Sequence, residues 1–107
     1  MGLIDVTKTY TIHYGTMTDA QWNALAAVYA TLPDFLGYSA HDSCPAWFGW
    51  PPDDGGRAGG AYLSASVEPG GLLVCGALSP DVWAAWDSTF MAAASRALGF
   101  PVRDADE

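Results

Sequence analysis

Two amphipathic segments with marked ends most constrain the fold of this chain. The first segment begins at Thr18, which together with Gln21 has the spacing of a capping box. It ends before Pro33, which cannot continue a helix. Its apolar residues recur on one stripe at helical spacing: Trp22, Leu25, Ala26, Tyr29 and Leu32. Another element must cover this stripe, because a lone helix has nothing against which to bury it.

The second segment has equally clear boundaries. Ser79 is a suitable N-cap, and Pro80 occupies the first helical position, which proline favours. Gly99 is placed as a C-cap, and Pro101 prevents continuation. Large rings and small residues share its apolar stripe: Trp83, Trp86, Phe90, Ala94 and Ala97. The two predicted helices therefore cover residues 19–32 and 80–98.

Period-two alternation and short apolar runs predict the strands. Four strands are expected, over residues 7–14, 46–50, 61–67 and 72–78. Pro69 and Gly70 predict a type II turn between the last two, in which Gly70 supplies the positive φ. Residues 34–43 are predicted to be a loop, because Gly37 interrupts their apolar pattern.

The predicted order is β-α-β-β-β-α, which indicates an α+β fold. We expect a two-layer sandwich, with a mainly antiparallel four-stranded sheet and both helices on one face. A length of 107 residues, half of them hydrophobic, fits a single domain over residues 1–107. Residues 1–6 and 104–107 are expected to fray, and the glycine-rich residues 51–60 to form a flexible loop.

The charge balance excludes several classes of function. Twelve acidic residues outnumber four basic ones, which gives a net charge of −8. Four scattered cations cannot neutralise a row of phosphates, so we expect no nucleic-acid binding. No apolar run approaches the roughly 18 residues of a membrane span, so we expect no membrane insertion. Two cysteines and a start unlike a signal peptide predict reduced thiols in the cytoplasm.

The sequence lacks the common catalytic and cofactor-binding motifs. The glycines of residues 53–60 precede a strand and lack the Gly-Lys-Ser/Thr ending of a phosphate-binding loop. A Gly-x-Ser-x-Gly nucleophile elbow is also absent. We therefore predict no cofactor and no catalytic residue, which favours a non-enzymatic protein without deciding the matter. His41 and Cys44 have a spacing that suits two metal ligands, but no second pair accompanies them.

Aromatic residues indicate a surface for a partner. The chain has five Trp and five Tyr. Adjacent strand residues point to opposite faces, so Trp47 and Phe48 cannot both enter one core layer. We expect a patch of rings and acids to bind a basic protein: Trp47, Trp50, Tyr62, Asp53, Asp54 and Glu68. The predicted function is a small acidic binding module, for example an inhibitor of the immunity or antitoxin type.

An alternative function belongs to another class. A small-ligand-binding domain, or an enzyme without a cofactor, would use a pocket between the sheet and the helices. Its predicted lining is Tyr10, His13, Tyr14 and Trp22. A homodimer through the open face of the sheet is compatible with either function. Salt-sensitive capture of a basic protein would favour the first function, and a bound small molecule the second.

Overall fold

The computed structural model describes residues 2–106, except the side chain of Asp54, a predicted partner contact. Five strands and two α-helices occur in this part of the chain, with a short 3-10 helix over Pro52–Asp54. In chain order they are β1 (Ile4–Tyr10), α1 (Asp19–Thr31), β2 (Phe35–Tyr38), β3 (Pro45–Trp47), β4 (Tyr62–Glu68), β5 (Gly71–Leu78) and α2 (Pro80–Leu98). The strands form one antiparallel sheet in the order β1-β5-β4-β3-β2. The α+β class, with two helices and an antiparallel sheet, is confirmed.

The predicted number of strands is wrong, because residues 34–43 include β2. Phe35 pairs with Trp47, and Tyr38 pairs with Pro45. The register is irregular at Gly37, which has φ +113°. A four-residue strand with a glycine inside it has almost no local signature, and its pairing with β3 is what defines it.

Two predicted strands have different ends. β1 starts at Ile4 and stops at Tyr10, so residues 4–6, which were expected to fray, pair with β5. Asp104 forms an isolated bridge with Tyr10. β3 stops at Trp47, because Phe48 has φ +71° and its backbone leaves the extended conformation.

Both helices begin and end close to their predicted positions. The Thr18 hydroxyl accepts a hydrogen bond from the Gln21 N–H at 3.1 Å, and the Gln21 side chain accepts one from the Thr18 N–H at 2.9 Å. Gly99 ends α2 with φ +81°. The stripe of α2 differs at one position, since Leu98 is buried and Ala97 is exposed.

The turn between β4 and β5 differs from the predicted type II turn. The positive φ belongs to Gly71, at +133°, and Gly70 has none. A Cβ atom on Gly71 would collide with the carbonyl oxygen of Tyr10. Glycine is required at this position because β1 passes so close to the start of β5.

Rings from both helices contact one face of the sheet. Phe90 of α2 packs edge-on against Tyr10 with ring centroids 4.8 Å apart. Trp47 of β3 contacts Tyr29 of α1 at 5.5 Å and Trp86 of α2 at 5.0 Å. Alternation and strand register place a second set of side chains on the other face of the sheet, here called the open face. These side chains are partly or fully exposed: Thr7, Thr9, Tyr62, Ser64, Ser66, Leu73 and Cys75.

Neither described helix combines the length and the apolar character that a membrane span needs.

Candidate functional site

A cleft of about 430 Å³ lies between α1 and one end of the sheet. One wall is formed by α1 residues, including Trp22, Ala26 and Tyr29. The end of β4 and the start of β5 form the floor. The segment that joins β2 to β3 forms the remaining wall. We call this cavity the α1 cleft.

The cleft exists because β3 is much shorter than β4. β3 pairs with β4 only through Ala46 with Ser64 and Trp47 with Leu63. Pro45 has no N–H with which to extend this ladder. β4 nevertheless continues to Glu68, paired with β5 on its other side. The β4 edge beyond Ser64 therefore borders the cleft instead of a neighbouring strand.

The turn from Ser39 to Cys44 is fixed by its own hydrogen bonds. The Ser39 N–H donates to the Cys44 carbonyl at 2.9 Å, and the Ser43 N–H donates to the Ser39 carbonyl at 2.9 Å. The Asp42 carboxylate accepts the Cys44 N–H at 3.0 Å. This backbone hydrogen bond is the main cause that lowers the pKa of Asp42 below its usual value. Asp42 is therefore a charged, exposed group at the rim of the cleft.

Aromatic rings supply much of the remaining lining. Trp22 is half-buried, Tyr38 is exposed and Tyr29 is buried. Burial raises the pKa of Tyr29, and the nearby Tyr38 and Cys44 raise it further. The Tyr29 phenol therefore stays protonated at neutral pH. Among the described residues that line the cleft, Asp42 is the only charged one.

The four residues predicted to line a pocket do not come together. Trp22 lines the α1 cleft. Tyr10 is fully buried, and its hydroxyl donates to Asp87 at 2.5 Å. The His13 ring stacks on Phe100 with centroids 4.1 Å apart. The Tyr14 hydroxyl donates to the Pro69 carbonyl at 3.0 Å. The cleft thus lies between the sheet and a helix, but with a different lining.

Trp47 does not lie on the surface, which corrects its predicted place in an exposed patch. Its side chain has 0% exposure, and its indole N–H donates to the Tyr29 carbonyl at 3.0 Å. The cause is the register, because pairing with Leu63 places Trp47 on the face that the helices contact. A partner that docks on the intact surface cannot touch this ring.

The other predicted partner contacts are spread along the sheet and a loop. Asp53 and Glu68 are exposed, while Trp50 and Tyr62 are half-buried. Tyr62 and Glu68 share one face of β4 but lie at opposite ends, about 20 Å apart at the usual rise per residue. Trp50 lines a second cavity, of about 380 Å³, beside the glycine-rich loop. The predicted flexibility of residues 51–60 stays a prediction.

The weak metal candidates, His41 and Cys44, both belong to the turn at the cleft. Among the side chains that the structure describes, no three or more of His, Cys, Asp or Glu are grouped so that they could hold a metal ion. Cys44 lines the cleft, whereas Cys75 lies on the open face, and neither forms a disulfide.

Sequence reasoning missed most of the polar cleft residues. Tyr38, Asp42 and Ser43 fall in the segment predicted as a loop, so nothing marked them as neighbours of α1. One local signal was present: Asp42 stands two residues before Cys44, the spacing of an Asx turn.

Comparisons with protein-family models, curated proteins and solved structures find no match.

Proposed function

We propose that the protein is a small acidic binding module that captures a basic protein partner. Uncompensated surface charge is the observation that supports this function. The exposed acidic residues include Asp5, Asp19, Asp34, Asp53, Glu68 and Asp81. Among the side chains that the structure describes, Lys8 with Asp87 is the one ion pair, at 2.9 Å. Such a negative field accelerates association with a cationic partner.

The proposed contact surface combines the open face with the loop beside it. Two helices on one side of the sheet leave the open face free for docking. Tyr62 lies on this face and Trp50 in the neighbouring loop, and both residue types are common hot spots of interfaces. Asp53 and Glu68 would provide the charge. An inhibitor of the immunity or antitoxin type is one form of such a module, and two cysteines that form no disulfide suit a reducing compartment such as the cytoplasm.

The test begins with capture from a cell lysate at about 50 mM and about 500 mM NaCl, between which the screening length falls from roughly 14 to 4 Å. The captured protein is then purified, and its association rate with the module is measured. We expect a basic protein whose association rate falls at least tenfold in high salt. Trp50→Ala should weaken binding while the variant stays folded.

Charge variants separate a contact surface from a general effect of charge. Asp53→Asn and Glu68→Gln should each slow association more than Asp19→Asn, which removes the same charge from α1. Equal effects of all three, or a rate that ignores salt, would overturn the proposal. Capture of nothing but a second copy of the chain would replace it with the homodimer.

The α1 cleft favours a second candidate function, the binding of a small molecule. Its volume lies within the range of about 300–1,000 Å³ that is usual for small-molecule sites. An apolar lining with a few convergent polar groups is typical of such sites. The cleft is also built into the fold, since β3 begins only at Pro45 and leaves the β4 edge beyond Ser64 uncovered. A purified protein that retains or binds a small molecule at this place would support the function.

A further inference from the structure

We infer that the α1 cleft selects a small organic cation, an ammonium group carried on an apolar aromatic stem. This inference rests on the proposal that the cleft binds a small molecule, and it adds the class of that molecule. Asp42 supplies the only charge among the described lining residues, and no lysine or arginine is among them. The net charge of −8 acts in the same direction, because it repels an anion and attracts a cation.

The position of Asp42 determines the orientation of the ligand. Its carboxylate is exposed at the rim, and the hydrogen bond from the Cys44 N–H fixes it there. An ammonium group beside Asp42 keeps part of its hydration, so it does not have to be buried in full. The stem then points inward, between α1 and the free edge of β4.

The inner part of the cleft suits an aromatic stem. Trp22 and Tyr38 provide rings against which a stem can stack and over which a cation is attracted. Ala26 on α1 and Ala65 on β4 are small, and they leave the space between the two elements open. Tyr29 also lines the cleft, and its protonated hydroxyl adds a neutral polar group to the lining.

Three probes with one stem test the selection: tryptamine as the cation, 3-ethylindole as the neutral form and indole-3-propionate as the anion. Calorimetry on the full chain should give about tenfold tighter binding of tryptamine than of 3-ethylindole, and weaker binding still of the anion. Asp42→Asn should reduce the preference for tryptamine about threefold and leave 3-ethylindole unchanged. Asp5→Asn removes the same charge from an exposed β1 residue that does not line the cleft, and it should leave all three affinities unchanged.

Two further measurements locate the ligand. Ala26→Leu adds a side chain inside the cleft and should weaken tryptamine at least fivefold, whereas Ala27→Leu on the exposed side of α1 should not. Saturating tryptamine should also slow the alkylation of Cys44 by iodoacetamide. Cys75 lies on the open face and serves as the internal reference, whose rate should not change.

The outcomes show separately whether the cleft prefers a cation and whether it binds a ligand at all. Equal affinity for all three probes, or tighter binding of the anion, would overturn the selection for a cation while the cleft remains a ligand site. Absence of binding by every probe, or binding that neither protects Cys44 nor responds to Ala26→Leu, would overturn both the inference and the second candidate function.

Discussion

At the scale of single residues, Trp47 links the sheet to both helices, and this role predicts its mutational behaviour. Its ring contacts Tyr29 and Trp86, and its N–H satisfies the Tyr29 carbonyl. Trp47→Phe removes this donor and leaves a cavity, so we expect a loss of about 2–4 kcal/mol in the free energy of unfolding. Trp50→Phe, at a half-buried position, should cost less than about 1 kcal/mol. Urea unfolding measures both changes, and similar losses would contradict the assignment of Trp47 to the core.

Two buried tyrosines predict how stability changes at alkaline pH. Burial raises the pKa of Tyr10, with help from its hydrogen bond to Asp87, and burial also raises the pKa of Tyr29. Above about pH 10 the unfolded chain releases these two protons and the folded chain keeps them. The free energy of unfolding should therefore be unaffected by them at lower pH and fall above pH 10, by up to about 2.7 kcal/mol per pH unit. Tyr29→Phe should halve this slope in urea titrations, and a flat profile through pH 11 would refute the prediction.

At the scale of elements, the β4–β5 turn offers a matched pair of glycines. Gly71 has φ +133°, and a Cβ atom there would collide with Tyr10, while a Cβ atom on Gly70 would meet only the Thr9 methyl group at 3.9 Å. Gly71→Ala should therefore lower the free energy of unfolding by about 2 kcal/mol or more, and Gly70→Ala by less than about 0.5 kcal/mol. Thermal unfolding of the two variants compares them directly. The type II turn predicted from the sequence requires the opposite ranking.

The helices were predictable because their signals are local. The capping box of Thr18 and Gln21, and the αL glycine at Gly99, involve residues within one turn of each helix end. Strand limits depend instead on distant partners: β2 is defined by its pairing with β3, and the face that Trp47 occupies follows from its pairing with Leu63. The α1 cleft depends on both kinds of information. Trp22 could be recognised as a lining residue from helical spacing. Asp42 could not, because it lies 20 residues after Trp22 and reaches α1 only through the turn between β2 and β3.

At the scale of the whole molecule, most charged groups lie outside the buried aromatic core. The buried core joins both helices to one sheet face through Tyr10, Trp47, Trp86 and Phe90. The described charged groups lie around this core, and most of them are exposed and have no ion-pair partner among the described side chains. Stability and the proposed partner binding therefore depend on largely different residues, so that exposed acidic residues can be changed for binding tests with little damage to the core.

The same separation predicts how salt affects stability. Like charges repel one another more strongly in the compact state than in the unfolded chain. Lys8 with Asp87 is the one attractive ion pair that screening can weaken in the described part of the chain. NaCl up to about 0.3 M should therefore raise the melting temperature by about 5 °C, which corresponds to roughly 1 kcal/mol for a domain of this size. Calorimetric scans measure this shift, and most of it should occur below about 0.1 M, where screening changes most. A melting temperature that falls with added salt would mean that attractive charge pairs dominate, and it would contradict the net repulsion among the exposed acidic residues.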